Sequence, residues 1–329
     1  MYLPIMLSFL LMGSVYRLPL LRIGRIRTER QVQIFWFCFW VIFAASYVYI
    51  LAVFGRNLQF ANFLSSDEVY SVRLGARELS STGLVGYVLM WGSKVLNPFV
   101  IVYGLHSRRY SLVAIGLFGQ ILLYSANALK ATLVSLLVVI SLFVIIRRRP
   151  HRLGIVILTA LICVVVIAGL LDQILNTDTF VSLLDRRQIF LHGVLTEYYF
   201  DFFSVNPKAH MGYSRLIRNY VNYPYQDSPS FVIGQVYFHS SSMNANENFW
   251  ASAFADFGYF GLFIEGIILS VIFWVCDSLS RNLPLEFSSA FLFSSLFSVT
   301  GASLFTSAIT HGILLACFLL WVMPHIGKR

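Results

Sequence analysis

The sequence predicts an all-α, polytopic integral membrane protein, and three observations carry that prediction. Of the 329 residues, 58% are hydrophobic and only 12% are charged, and the mean hydropathy is +0.74. Soluble domains are about half apolar and a quarter charged. The apolar residues form runs of about 17–24, long enough to cross a membrane as helices, which satisfy their own backbone groups in lipid. The weak alternation expected of an outer-membrane barrel is missing.

About nine apolar segments of this kind make one membrane domain of the whole chain, 1–329. They are 2–20, 31–54, 83–106, 110–127, 130–146, 153–175, 249–275, 287–303 and 306–323. Four short segments between and after them are basic: "RIGRIRTER", "HSRR", "RRRPHR" and the "GKR" tail. With nine spans all four lie on the cytoplasmic face, as the excess of Lys and Arg in cytoplasmic loops requires. The net charge of +9 therefore indicates orientation rather than nucleic-acid binding.

The opposite face receives two larger loops. The first external loop is 56–82, and the second is the large periplasmic loop 176–246, the main soluble element. The second loop is rich in Tyr and Phe and carries "NP" and "SP" turn signals. Its stretch "FLHGVLTEYYFDFF" has the apolar spacing of an amphipathic helix, which we expect to lie along the membrane surface.

Six external arginines are candidate ligands for a pyrophosphate group, because Arg is disfavoured in external loops and its planar fork suits phosphate oxygens. They are Arg73, Arg77, Arg186, Arg187, Arg215 and Arg218. The alternative is pairing with neighbouring acids, since Glu78 follows Arg77 and Asp185 precedes Arg186.

Aromatic side chains surround the last two of these arginines. Tyr213, Tyr220 and Tyr223 lie in "YSRLIRNYVNYPY", and rings beside polar groups suit sugars, so we take them as glycan-binding candidates. The alternative is the aromatic belt found at any membrane surface.

The stretch "NANENFWASAFADFGYFGLF", 244–263, places polar residues where a helix enters the membrane. Asn246 and Asn248 are the two candidate helix caps, and Asn248 is also a candidate glycan ligand. Glu247 is the candidate general base, since a carboxyl at a membrane boundary can have a raised pKa. It could equally be a favourable anion at a helix N-terminus. Glu247 and Asp256 are nine residues apart, which predicts opposite faces of a helix and no close carboxylate pair.

Other polar residues give weaker signals. His239 lies shortly before Glu247 and is the second candidate base, while His192 and His210 complete the loop's histidines. Neither these nor the four cysteines have metal-ligand spacing, so no metal is expected. Lys94 is the clear charge in the middle of a span. No nucleotide motif is present, so no cofactor is expected and an activated substrate must drive any reaction.

Four stretches together resemble bacterial O-antigen polymerases of the Wzy type, the oligosaccharide repeat unit polymerases. They are "SDEVYSVRLGARE", "LYSANALKATLVSLLVVI", "DRRQIFLHGVLTEYYFDFFSVNP" and "NENFWASAFADFGYFGLF", within residues 67–265. The related O-antigen ligases carry a His-Asn pair, then an acidic residue two before a Gly, then a second Gly three later. Glu247-Asn248, Asp256, Gly258 and Gly261 occupy those places here, with Glu247 departing from the ligases' His.

The resemblance implies polymerisation of undecaprenyl-pyrophosphate-linked repeat units into O-antigen or a related surface polysaccharide. The chain would then lie in the bacterial inner membrane with its active site facing the periplasm. Its partners would be the lipid-linked donor and acceptor, the bilayer and a chain-length regulator protein. Of the six arginines, the preferred ligands of the pyrophosphate charge would be Arg186, Arg215 and Arg73. The catalytic residue would be Glu247, Asp256 or His239.

Two alternatives stay open. The first is another enzyme, either an O-antigen ligase or a membrane glycosyltransferase that uses a polyprenyl-phosphate sugar. The glycosyltransferase could use Asp67 or Glu68 as its base, with or without a metal. A lipid-linked oligosaccharide flippase would need charges deep in several spans.

Overall fold

The computed structural model describes residues 2–24, 28–62, 66–80, 84–178, 180–182, 190–214 and 217–326. For residues 66, 67, 77, 78 and 80 the description covers the backbone only. Every regular element in these residues is helical, which confirms the all-α prediction. The α-helices are α1 (Tyr2–Val15), α2 (Glu29–Phe54), α3 (Ser66–Ser80), α4 (Val85–Trp91), α5 (Asn97–Ser107), α6 (Tyr110–Asn127), α7 (Lys130–Arg148), α8 (Leu153–Leu175), α9 (Leu191–Val205), α10 (Pro229–Phe238), α11 (Phe249–Ser280), α12 (Leu285–Leu296), α13 (Leu304–Ile309) and α14 (Ile313–Val322).

Among the described residues, seven helical segments are long and apolar enough to cross a membrane. They are Glu29–Phe54, Val85–Ser107, Tyr110–Asn127, Lys130–Arg148, Pro150–Leu175, Phe249–Ser280 and Leu304–Val322. Two further segments predicted as spans contain shorter apolar helices, Tyr2–Val15 and Leu285–Thr300. The 14 residues of α1 rise by about 21 Å, less than the ~30 Å hydrocarbon core. Seven helices therefore meet the length of a span, and a count of nine stays a prediction.

The chain forms two compact units, the first comprising Met1–Pro19, His151–Trp274 and Ser298–Leu304. Its core is built by α9, α10 and the beginning of α11. The predicted helix in the large loop is confirmed as α9, whose Leu195, Tyr199 and Phe203 recur every four residues and are buried. Phe200 stacks on Phe254 of α11 with ring centroids 3.9 Å apart. The loop therefore folds against the start of α11 instead of trailing from it.

The second unit comprises Leu20–Pro150, Val275–Phe297 and Phe305–Arg329. A stripe of Phe35, Phe39 and Phe43 on α2 faces its core. Phe39 packs on Phe99 of α5 with ring centroids 5.0 Å apart, and Phe99 packs edge-on against Phe291 of α12 at 5.4 Å. Aromatic packing thus joins three of its helices.

One turn of π-helix, Gly92–Leu96, connects α4 to α5 within a single span. The Gln120 amide of α6 donates to the carbonyl of Ser93 at 3.0 Å, inside this turn. The Asn97 amide donates to Gln120 Oε1 at 2.9 Å, and the Tyr47 hydroxyl donates to Asn97 Oδ1 at 2.6 Å. This buried network satisfies polar groups that the π-helical turn exposes in an apolar setting.

Candidate functional site

The start of α11 is held by the predicted cap. Asn248 Oδ1 accepts a hydrogen bond from the Ala251 N–H at 3.0 Å, which confirms the capping prediction. The Asn248 amide also donates to the Thr196 hydroxyl of α9 at 2.7 Å. Asn248 therefore joins α11 to α9 through both ends of its side chain, and its role as a glycan ligand stays a prediction.

Glu247 precedes the cap and is buried. The Tyr199 hydroxyl of α9 lies 2.7 Å from Glu247 Oε2 and 3.1 Å from the Ala245 carbonyl, so these two acceptors share one proton. Ser252, one turn into α11, is within hydrogen-bonding reach of the same carboxyl. Glu247 is thus a buried carboxyl with a defined polar shell, which exceeds what an anion at a helix N-terminus requires.

Asp256 is also buried, and it accepts two hydrogen bonds from the large loop. The Met211 N–H donates to Asp256 Oδ1 at 2.9 Å, and the Tyr213 hydroxyl donates to Oδ2 at 3.0 Å. Ser252 is within hydrogen-bonding reach of Tyr213 as well as of Glu247. The two carboxyl groups therefore belong to one polar network.

This arrangement corrects the expectation that Glu247 and Asp256 face opposite sides of a helix. That expectation assumed a continuous helix from 247 to 256, whereas α11 begins at Phe249. Glu247 lies before the helix, so the rotation per residue of a helix does not set its direction. The negative charge of Asp256 reaches Glu247 electrostatically.

Gly258 interrupts α11 two residues after Asp256. Its φ of 64° and ψ of −149° are accessible essentially to glycine alone. The Ala209 N–H donates to the Ala255 carbonyl at 2.9 Å, and the His210 N–H donates to the Asp256 carbonyl at 3.2 Å. Gly258 breaks the helix so that loop residues can bond to the freed carbonyls.

Burial raises the pKa of Glu247 from 4.5 to about 7, with a smaller upward contribution from the charge of Asp256. The hydrogen bonds from Tyr199 and Ser252 act in the opposite direction. Burial, followed by nearby carboxylates, raises the pKa values of Tyr199 and Tyr213 well above their ordinary value. Both phenols therefore keep their protons and remain donors, while Glu247 can exchange a proton near neutral pH.

Lys208 is a cation near this network that the sequence analysis missed. Its ammonium lies 4.2 Å from the ring centroid of Phe254 and donates to the Phe203 carbonyl. Burial lowers the pKa of Lys208. A Cβ built on Gly258 would lie 3.4 Å from Lys208 Cε, so the lysine stem passes beside the helix break. Its position directly after the Asn206-Pro207 turn was the available sequence signal.

Glu265 is the second residue that the sequence analysis missed. It is 1% exposed, and among the described residues neither carboxylate oxygen has a hydrogen-bond partner. It interacts electrostatically with Asp256 and Glu247. Lys94 is therefore not the only clear charge inside a span, because Glu265 lies within the apolar segment Phe249–Ser280.

The structure describes the side chains of only two of the six arginine candidates. Arg73 Nε donates to the Ala128 carbonyl at 3.2 Å, which gives this arginine a structural partner at the end of α6. Arg218 is exposed. Arg186, Arg187, Arg215 and the side chain of Arg77 lie outside the described residues. Asp67 and Glu68 are the candidate bases of the alternative glycosyltransferase. Glu68 Oε2 accepts a hydrogen bond from the Asn62 N–H at 2.8 Å, and the side chain of Asp67 is outside the described part of the chain.

The tyrosine candidates separate into two groups. Tyr213 and Tyr223 pack together with ring centroids 6.1 Å apart against the core of the first unit. Tyr220 is 87% exposed. His239 is also exposed and ends α10 with a φ of 52°, where the structure gives it no contact with Glu247. Tyr220 and His239 are therefore placed at the surface.

Within the described part of the chain, no group of three or more His, Cys, Asp or Glu side chains is arranged to hold a metal ion. Cys276 and Cys317 are buried with their sulfurs 3.2 Å apart, and Cys38 and Cys163 are exposed. No protein-family model, curated protein or solved structure matches the chain. The function is therefore inferred from the residues described above.

Proposed function

We propose that this chain is an inner-membrane glycosyltransferase that polymerises polyprenyl-pyrophosphate-linked oligosaccharides at the periplasmic face. The observation that carries the proposal is the buried network of Glu247 and Asp256 where the tyrosine-rich loop meets the start of an apolar helix. A carboxyl with a pKa of about 7 can accept a proton near neutral pH. Aromatic side chains beside it suit sugar rings.

In the proposed reaction, the acceptor hydroxyl of one repeat unit attacks the anomeric carbon of the donor glycan. The bond from that carbon to the pyrophosphate oxygen breaks, and its electron pair leaves with the pyrophosphate. Glu247 takes the hydroxyl proton. Asp256, fixed by the Met211 N–H and the Tyr213 hydroxyl, holds the loop and the helix in register.

The charge on the leaving pyrophosphate needs cations. Lys208 is the described cation nearest to the helix break, and its desolvation favours pairing with an anion. Arg186 and Arg215 keep the role that the family resemblance implies. The nine-span topology, with loops 56–82 and 176–246 in the periplasm, belongs to the same proposal.

The test is complementation of a polymerase-null strain of matching serotype, read as a lipopolysaccharide ladder. We expect the wild type to restore the ladder and Glu247→Gln to give single repeat units at equal protein level. Glu197→Gln is the matched control, because Glu197 lies exposed on α9. The null strain must already carry lipopolysaccharide with one repeat unit per molecule, which shows that the substrate is made. If the wild-type protein then restores no ladder, polymerisation is the wrong reaction. A normal ladder from Glu247→Gln would keep the reaction and remove Glu247 as its base.

A further inference from the structure

Two basic side chains lie near each other in apolar segments of the second unit. Lys94 lies nine residues after Val85 in the segment Val85–Ser107, and His311 lies seven residues after Leu304 in the segment Leu304–Val322. The two groups interact electrostatically. Two bases side by side in an apolar setting are unfavourable without a negative partner.

No such partner is present in the described residues. The Lys94 side chain is half-buried, and its ammonium donates no hydrogen bond and pairs with no carboxylate there. His311 Nδ1 is buried and has no hydrogen-bond partner among the described residues. A charge in an apolar setting is usually compensated by a counter-charge or by several hydrogen bonds. An anion from outside the chain would supply that compensation.

The backbone around these side chains is irregular on both helices. Lys94 lies in the π-helical turn Gly92–Leu96, and such turns occur frequently at functional sites. His311 lies in the break between α13 and α14, where Gly312 has a φ of 82°. A Cβ on Gly312 would lie 2.6 Å from Val95 Cγ2, so glycine allows the break to pack against the π-helical turn. The Trp91 indole also donates to the Ile309 carbonyl at 2.8 Å and fixes the end of α13.

The N-terminus of α14 lies beside the π-helical turn, because its N-cap residue Gly312 packs against Val95. The first N–H groups of a helix have no carbonyl partner within it and favour anions. Here the ten-residue α14 begins directly after His311. Lysine binds phosphate as a point charge, and helix N-termini bind it through their N–H groups.

We propose that the π-helical turn and the break before α14 form a binding site for the phosphate group of a membrane lipid, with Lys94 and His311 as its basic ligands. A lipid is the source because both residues lie within apolar segments, where a free anion is poorly solvated. This site does not depend on the proposed glycan transfer, since it uses no residue of the Glu247 network.

The test measures binding of three probes to the full-length protein in a neutral detergent. Farnesyl phosphate carries both a lipid chain and a phosphate, inorganic phosphate carries the anion alone, and farnesol carries the chain alone. We expect saturable binding of farnesyl phosphate, with little binding of the other two. Tighter binding of inorganic phosphate, or equal binding of farnesol, would overturn the lipid-phosphate assignment.

Variants locate the site. We expect Lys94→Met to weaken farnesyl phosphate binding about tenfold or more, because one charge-assisted contact is lost, and Lys94→Arg to retain most of it. His311→Gln supplies a second variant if Lys94→Met does not fold. Arg152→Met is the matched control, because Arg152 is an exposed cation of the other unit. Unchanged affinity in both the Lys94→Met and His311→Gln proteins contradicts the proposal.

Discussion

Glu247 shows how one buried carboxyl links stability to pH. The folded state holds its proton up to a pH of about 7, whereas the unfolded chain releases it near 4.5. Between these values the folded state binds more protons, so the free energy of unfolding falls as pH rises through the window. The loss is on the order of 3 kcal/mol. Thermal unfolding from pH 4.5 to 8 should therefore show a contribution that Glu247→Gln removes and Glu197→Gln leaves intact.

Tyr199 lowers the proton affinity of Glu247 from a neighbouring helix. Its hydroxyl stabilises the ionised carboxylate at 2.7 Å, so Tyr199→Phe should raise the pKa of Glu247. If Glu247 is the base, the pH–rate profile of glycan transfer should move toward higher pH. Tyr198→Phe is the control, because Tyr198 stacks on Tyr237 instead. An unchanged pH–rate profile in Tyr199→Phe would show that Tyr199 does not act on the group that accepts the proton in the reaction.

Glu265 leaves two carboxylate oxygens buried without hydrogen bonds. Burying such a group costs free energy that an apolar side chain of similar volume would not cost. We expect Glu265→Met to raise the thermal unfolding temperature, because it removes a buried carboxyl that has no hydrogen bond among the described residues. Glu197→Met, at an exposed position, should change stability by no more than about 0.5 kcal/mol. A less stable Glu265→Met protein would show that the carboxyl has a structural partner.

Among the elements, α11 depends most on a single backbone conformation. Gly258→Ala places a Cβ where φ is 64° and ψ is −149°, so we expect a loss of about 1–3 kcal/mol in stability. The loop at Ala209 to Met211 should detach first, since its hydrogen bonds end at Ala255 and Asp256. Gly169→Ala in α8 is the control, because nothing lies within 4 Å of its Cβ position. Proteolysis within the large loop would report the detachment.

Helices whose extent depends on their own sequence were predicted well, and features that depend on contacts with distant residues were not. Residues 110–127 and 153–175 match α6 and α8 because a predominantly apolar run sets the extent of each helix. The interruptions were not predicted. The π-helical turn at Gly92 depends on Gln120 of another helix, and the break at Gly258 depends on loop residues 209–211. Glu265 was visible in its apolar run, but only the fold brings it near Glu247 and Asp256.

At the scale of the whole molecule, the segment Leu285–Thr300 decides the topology. Its 12 α-helical and four 3₁₀ residues rise by roughly 26 Å, close to the thickness of the hydrocarbon core. If this segment crosses, the tail with Lys328 and Arg329 returns to the face of the other basic segments. If it does not cross, Leu304–Val322 carries the tail to the opposite face.

We expect the tail to be cytoplasmic, because basic residues near the ends of spans favour that side. Fusions after Arg329 should fluoresce with green fluorescent protein and lack activity with alkaline phosphatase. Fusions after Arg149 and within residues 222–228 serve as cytoplasmic and periplasmic references, since neither position depends on Leu285–Thr300. An active phosphatase at the tail would place the tail in the periplasm. The number of spans would then be one fewer, because Leu285–Thr300 would pack beside the other helices without crossing the bilayer.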